Sequence, residues 1–319
     1  SARRSPVTSS SFHQGDMSGT KRPAEVLGKK FKYEPCKVVA EIGCNHMGSM
    51  EIAKELMKLA KDCGATYAKF QKRCPKELLT PEQYNKPHPV PANAYGATYG
   101  AHREFLEFTL EQHKELYEYG KEIGIGWATS VWDVTSAKEM IQIPCDFLKV
   151  PSACNNHFEM LKFLRDEYSG YVHISTGMTT KDEIEEVVKF FEEKNQAKRV
   201  VLYNCTSGYP VPFPDICMLE INRLYEEYGD RVGEIAFSGH HLGIAVDIAS
   251  YALGAKWIER HFTKDRTWKG TDHAASLEPA GLGKMCRDLV ATHEALTLKS
   301  NDILEIETEQ RNKLKYRKQ

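Results

Sequence analysis

Between Ile258 and Pro279 the chain reads IERHFTKDRTWKGTDHAASLEP. An apolar run ends there in Glu259, Arg260 and His261, and Asp272 and His273 follow in the next loop. Carboxylate, cation and imidazole are the residue types of proton transfer, anion binding and metal ligation. Other apolar runs end in the same way: in Glu41 and Asn45, Lys69 and Gln71, Thr129 and Ser130, and Lys149 and Ser152. Further along they end in Ser175 and Thr176, Asn204 and Ser207, and Ser238 and His240. Singly, each has a plain structural reading. A strand lysine can snorkel to water, and a Ser or Thr at a strand end can cap the next helix. Collectively that account fails, because buried strands rarely carry Lys or Glu without a partner. Lys69 and Lys149 with several hydroxyls make a cradle for phosphate or carboxylate. His240 and His261 end successive runs, where two imidazoles can meet one divalent ion and leave positions open for substrate and water. The alternative is a catalytic or packing histidine pair without metal. His241 and His273 read as loop residues.

Such groups need a frame that brings all the run ends to one rim. The runs are KVVAEIGC, ATYAKFQ, IGWATSV, FLKVPSA, YVHISTGM, VVLYNCTS, EIAFSGH and KWIERHFT, beginning near residues 37, 65, 125, 147, 171, 200, 234 and 256. Helical patterns separate them. Ile52, Leu56, Leu59, Ala60 and Cys63 share one helical face. Thr180 and Glu183 form a capping box ahead of Ile184, Val187, Val188 and Phe191. Strands alternating with helices predict a parallel sheet of the α/β class, and eight near-equal units predict a single-domain (β/α)8 TIM barrel, with an open doubly wound sheet as second choice. Chemistry then belongs at the C-terminal ends of the strands. The barrel is expected over residues 26–300. A polar, disordered N-terminal tail or tag is expected over 1–25, with Met17 as the native start. A charged helical tail or linker is expected over 301–319. The stretch from about Arg73 to Thr109, rich in Tyr, His and Arg, reads as a lid.

Composition narrows the setting. Net charge is −1, so bulk electrostatics predicts neither nucleic-acid nor anionic-membrane binding. No apolar run approaches the length of a membrane span. The nine cysteines are scattered, with no C-x-x-C pair, which points to a reducing, cytoplasmic setting.

The motifs VVAEIGCNHMGS at 38–49, GATYAKFQ at 64–71, KVPSA at 149–153, ISTGM at 174–178, NCTSGYPVP at 204–212 and FSGHHLGI at 237–244 accompany the opening ERHFTKD…GTDHAASLEP. Together they resemble the sialic acid synthase family, whose members condense phosphoenolpyruvate with an N-acylated amino sugar. The likeness extends from about Val26 to Arg317. It implies that Glu41 is the catalytic carboxylate. Lys69, Thr129, Lys149, Ser152, Ser175 and Ser238 would hold phosphoenolpyruvate, and Gln71, Tyr209 and Asp272 the sugar, with Ser207 and Glu259 beside them. His240 and His261 would hold the metal, manganese in the first place, with magnesium or cobalt as alternatives. A homodimer is also implied.

Three positions depart from the family pattern. Cys154 stands where many members have an acid, Ser207 where the commoner form has an amide, and Gly239 where an acid precedes the metal histidine. The chain also stops about where the family's small antifreeze-like domain would begin. Two other readings stay open: a synthase of the heptulosonate or octulosonate type with a different acceptor, and a catalytically silent barrel acting as a binding module. Glu41, both lysines and both histidines argue against the silent barrel, since such groups are costly to bury without use.

Overall fold

Each apolar run becomes a strand. The strands are β1 (Lys37–Gly43), β2 (Tyr67–Lys72), β3 (Gly126–Val131), β4 (Phe147–Val150), β5 (Tyr171–Ser175), β6 (Val200–Cys205), β7 (Glu234–Gly239) and β8 (Trp257–His261). They pair in parallel in sequence order, and β8 pairs back onto β1 to close the barrel. That closure rules out the open sheet. The computed structural model describes residues 33–316, so the tail or tag expected over 1–25 lies outside the described residues.

Side chains alternate across each strand, and this sorts the sequence into two cores. Val39, Ala128, Phe147, Val201, Tyr203, Ala236 and Trp257 point inward and fill the barrel floor. There the His173 ring lies flat on Phe147, with centroids 3.9 Å apart, and Trp257 meets His173 edge-on. The outward residues, such as Val38, Ala40, Ile42, Trp127 and Val131, pack against the helices in one larger cluster. The helix Lys181–Glu192 starts at the expected Thr180–Glu183 capping box and buries Ile184, Val187, Val188 and Phe191. Ser49 caps the helix Met50–Asp62, which buries Ala53, Leu56, Met57 and Ala60.

The insertion after β2 is no bare loop. It folds into helices at Pro75–Leu78, Pro81–Asn85 and Tyr99–Leu106, two of them opened by proline and two by threonine caps. It is also pinned. Asp133 accepts from the Cys74 amide at 2.7 Å, and Glu77 accepts from the amides of Val134 and Thr135. The expected lid is therefore a helical cap tied to the start of the helix after β3. Residues 297–316 belong to a separate unit, in which Glu305–Leu314 is helical. Among the described residues, no helix is long and apolar enough to cross a membrane.

Candidate active site

Strand ends from all around the barrel converge on a cavity of about 430 Å³. Glu41, Lys69, Gln71, Lys149, Ser152, Ser175, Ser207, Tyr209, Ser238, His240, Glu259, His261 and Asp272 all line it. One expected residue does not. Thr129 is fully buried, on the outward face that β3 shares with Trp127 and Val131. The period of two puts Ala128 and Ser130 inside instead, so Ser130 is the hydroxyl that β3 presents to the cavity. The same alternation answers the cluster in β8. Glu259 and His261 face inward, whereas Arg260 points out to Asp247 and His241 beneath the helices.

The inward charges interlock. Lys69 pairs with Glu41, donates to Ser130 Oγ at 2.8 Å and lies 3.7 Å from Glu259. Lys149 donates to Glu259 at 2.6 Å, with its Nζ 4.0 Å from the centre of the Tyr203 ring. Tyr203 is in turn held by His173 at 2.8 Å. Burial alone would raise the Glu259 pKa, but the two ammonium groups outweigh it and push the carboxyl down to about 2. Burial pulls the Lys149 ammonium below its usual range; Glu259 opposes that shift and the nearby Lys69 adds to it. Glu259, expected beside the sugar, lines the cavity; its Oε1 accepts from Lys149 and from Ser238 at 3.2 Å, while Oε2 lies 3.7 Å from Lys69 without a hydrogen-bond partner. Glu41 accepts from Gln71 at 2.6 Å, which fixes its orientation at the mouth of the barrel.

On the β4–β6 side, hydroxyls gather around one backbone amide. Gly177 donates to Ser152 Oγ at 3.0 Å, and a Cβ on Gly177 would fall 2.8 Å from Ser152 Oγ and closer still to Ser207 Oγ. Only glycine leaves this cradle open. Gly239 has a similar reason, since a side chain there would strike the His241 ring, and an acid has no room. Cys154 is buried without lining the cavity, so nothing polar replaces the family acid at that position.

His240 and His261 stand 5.4 Å apart between ring centroids. His240 Nδ1 meets the Thr206 carbonyl at 3.0 Å. A carbonyl only accepts, so Nδ1 carries the proton and Nε2 keeps its lone pair. Burial, with His261 beside it, pulls the His240 pKa down to about 3, which leaves the ring neutral at ordinary pH. His261 Nδ1 is buried without a hydrogen-bond partner, and Asp272 lies 3.9 Å from it. Two imidazoles with available nitrogens fit a divalent ion completed by substrate and water. Among the described residues, no cluster of three or more His, Cys, Asp or Glu forms a closed metal cage.

Sequence reasoning missed Arg73, Arg103, Trp132, Cys205 and Thr271, which also line the cavity, and it named Ser130 at the rim but gave the substrate contact to Thr129. Ser130 was legible from its two-residue offset to Ala128. Arg73 and Arg103 were not, because they belong to the insertion and no periodicity places it. His241 and His273 are structural: His241 contacts Arg260, and His273 meets Thr263.

The comparisons agree with the fold. The profile of the NeuB family matches residues 56–301. N-acetylneuraminate-9-phosphate synthase from Homo sapiens is 36% identical over 273 residues, covering 86% of this chain and 74% of the relative. N,N'-diacetyllegionaminic acid synthase from Campylobacter jejuni is 32% identical over 261 residues, covering 81% of this chain and 77% of the relative. The crystal structure of an N-acetylneuraminic acid (sialic acid) synthetase from Leptospira borgpetersenii superposes with a TM-score of 0.74 at 26% identity, covering 89% of this chain and 94% of that one. With a matched profile over most of its length, strand ends that bear the expected groups and a closed barrel to hold them, the chain belongs to the NeuB family.

Proposed function

We propose that this protein condenses phosphoenolpyruvate with an N-acylated amino sugar, N-acetylmannosamine or a relative, to give a nine-carbon sialic-acid-type acid and inorganic phosphate. The observation that carries this reading is the interlocked cluster of Glu41, Lys69, Lys149 and Glu259 beside the paired rings of His240 and His261. The bond formed joins the enol carbon to the aldehyde carbon, and the aldehyde oxygen gains a proton. Water adds at the neighbouring carbon, and phosphate leaves with the bridging oxygen.

The chain's own residues divide this work. Lys149 and the hydroxyls of Ser152, Ser175, Ser207 and Ser238 hold the phosphoenolpyruvate anion on the β4–β7 side. Lys69, shared between Glu41 and Glu259, fixes the reacting end. Gln71, Tyr209 and Asp272 orient the sugar over β8 and β1, a proximity effect that lowers the barrier before any bond changes. Glu41 takes the proton from the attacking water, aimed by its contacts with Lys69 and Gln71. His240 and His261 would hold a divalent ion, manganese first among the candidates, which supplies Lewis acidity at the aldehyde.

The direct test is phosphate release from phosphoenolpyruvate in the presence of manganese and an N-acylated mannosamine, with the sugar omitted in the control. Release that requires the sugar supports the reading; release without it, or none with any amino sugar, refutes it. Chelation with EDTA should stop release and added manganese should restore it. Activity indifferent to EDTA would remove the metal from the scheme. Gly177→Ala should raise the KM for phosphoenolpyruvate roughly ten- to a hundredfold, the equivalent of one displaced hydrogen bond to a charged group at about 1.5–3 kcal/mol. An unchanged KM would move the anion away from the Ser152–Ser207 cradle.

A further inference from the structure

Asn45 ends the first apolar run, yet it does not line the cavity. It is 2% exposed and sits in the turn after β1, four residues beyond Glu41. Its side-chain amide has two protons to give. One goes to the Phe262 carbonyl at 2.9 Å and the other to Ser276 Oγ at 3.0 Å. The Ser276 hydroxyl in turn donates to the Asp272 carbonyl at 2.7 Å. Each bond in this relay has a fixed direction, because a carbonyl only accepts.

Phe262 and Ser276 stand at the two ends of one excursion. β8 continues into Phe262, which bridges to Leu277 where the chain returns. The Thr263 amide donates to the Leu277 carbonyl at 3.0 Å, and the Leu277 amide donates to the His261 carbonyl at 2.7 Å. Residues 263–276 thus leave and re-enter the rim at one closed neck, and Asn45 holds both sides of it. The Phe262 amide also donates to the Glu41 carbonyl at 2.8 Å. The neck is therefore joined to the strand that carries Glu41.

The excursion brings Asp272 to the cavity, where little holds the carboxylate itself. Its hydrogen bond comes from the adjacent Thr271 hydroxyl at 3.1 Å, and His261 Nδ1 lies 3.9 Å away. The place of the carboxylate is set through its backbone. The Asp272 carbonyl accepts from the Ala275 amide at 3.2 Å, within the short helical turn His273–Ala275, and from the Ser276 hydroxyl. The first bond stays within the turn. The second ties the turn to β1 through Asn45. Asn45 and Ser276 are both buried, so a bond left unmade there is costly.

We infer that Asn45 and Ser276 are positioning residues of the condensation. Acting through the Asp272 carbonyl, they set where the Asp272 carboxylate meets the amino sugar and keep it in register with Glu41. The inference rests on the role given to Asp272 in the condensation proposed above. Phosphoenolpyruvate lies outside their reach, since its cradle belongs to β4, β5 and β6, across the ring from β1 and β8.

The experiment measures kcat and KM for phosphoenolpyruvate and for an N-acylated mannosamine, N-acetylmannosamine first, with manganese present. It compares the wild type with Ser276→Ala, Asn45→Asp, Asp272→Ala and the double variant Ser276→Ala/Asp272→Ala. Ser276→Ala should lower kcat/KM for the sugar roughly three- to tenfold, the range of one neutral hydrogen bond. Asn45→Asp should cost roughly ten- to a hundredfold, because it sets an acceptor against two acceptors. In both, the KM for phosphoenolpyruvate should stay within about twofold of the wild type. On the Asp272→Ala background, Ser276→Ala should cost less than about twofold, because no carboxylate remains to be placed. Additive losses, or a KM for phosphoenolpyruvate that rises as much as that for the sugar, overturn the inference and leave the condensation standing. Full activity in Asp272→Ala overturns it too. If Asn45→Asp does not fold, Ser276→Ala and the double variant still decide. A wild type that releases phosphate with no N-acylated mannosamine overturns the condensation and this inference with it.

Discussion

Replacing Glu41 with Gln should lower the turnover of condensation by roughly 10²–10⁴-fold, the usual contribution of a positioned acid or base. The substitution keeps size and hydrogen-bonding reach, so Gln71 retains a partner at a site where it now meets Glu41 at 2.6 Å. What is lost is a proton acceptor and a negative charge. Lys69 is not abandoned, since it keeps Ser130 at 2.8 Å and Glu259 at 3.7 Å. The protein should therefore fold, and phosphoenolpyruvate should bind within a few-fold of the wild type, because the cradle on the far wall is untouched. Steady-state rates with a binding titration alongside separate these effects. A variant that turns over like the wild type would remove Glu41 from the chemistry. One that binds phosphoenolpyruvate as poorly as it reacts would make Glu41 a binding group through Lys69, and nothing more.

The barrel was legible because each strand carries its own signal. Both faces of a barrel strand are buried, so the runs stay apolar until the point where they reach the mouth, and polar residues mark that point. VVLYNCTS shows this plainly: Val200 to Cys205 are all buried, and Ser207 then lines the cavity. The site was legible for the same reason, with thirteen of fourteen named residues on its wall, Thr129 being the exception. That miss came from reading a strand end without its phase. Thr129 and Ser130 are adjacent, and alternation sends one outward and the other in. The two arginines were hidden for a different reason. Arg103 lies thirty residues beyond Arg73, and the insertion between them has neither strand nor long-helix periodicity. Their meeting at Cys44 and Glu107 depends on how the short helices of the insertion pack, and pattern reasoning does not reach that. Glu259 lines the cavity as expected, but its pairing with both lysines was not legible, because sequence alone does not rank which cation answers which carboxylate.

Glu259→Gln should be the most damaging single change to the stability of the barrel interior, at about 3–5 kcal/mol, the cost of breaking a buried ion pair from one side. Glu259 is only 5% exposed and answers Lys149 directly and Lys69 at 3.7 Å. With its charge removed, Lys69 still has Glu41, but Lys149 keeps only the face of Tyr203 against the desolvation that already pulls its ammonium down. The midpoint of chemical denaturation reads the loss. The same substitution carries a pH signature whose sign is fixed. The folded-state pKa of Glu259 is depressed from 4.5 to about 2, so its stabilisation is fully present above pH 4.5 and is lost as the pH falls towards 2. The stability gap between wild type and Glu259→Gln should therefore be constant near neutrality and close across that acid window. A gap that holds down to pH 2 would mean that the variant lost packing rather than charge. Adding Lys149→Met to Glu259→Gln should restore part of the stability, since the orphaned ammonium goes with it, while anion binding stays lost. That combination separates two roles for the pair. If the double variant regains stability without activity, the lysine–glutamate pair is kept for the substrate and is tolerated by the fold. Glu259 then serves to keep a buried lysine charged until an anion arrives to share it.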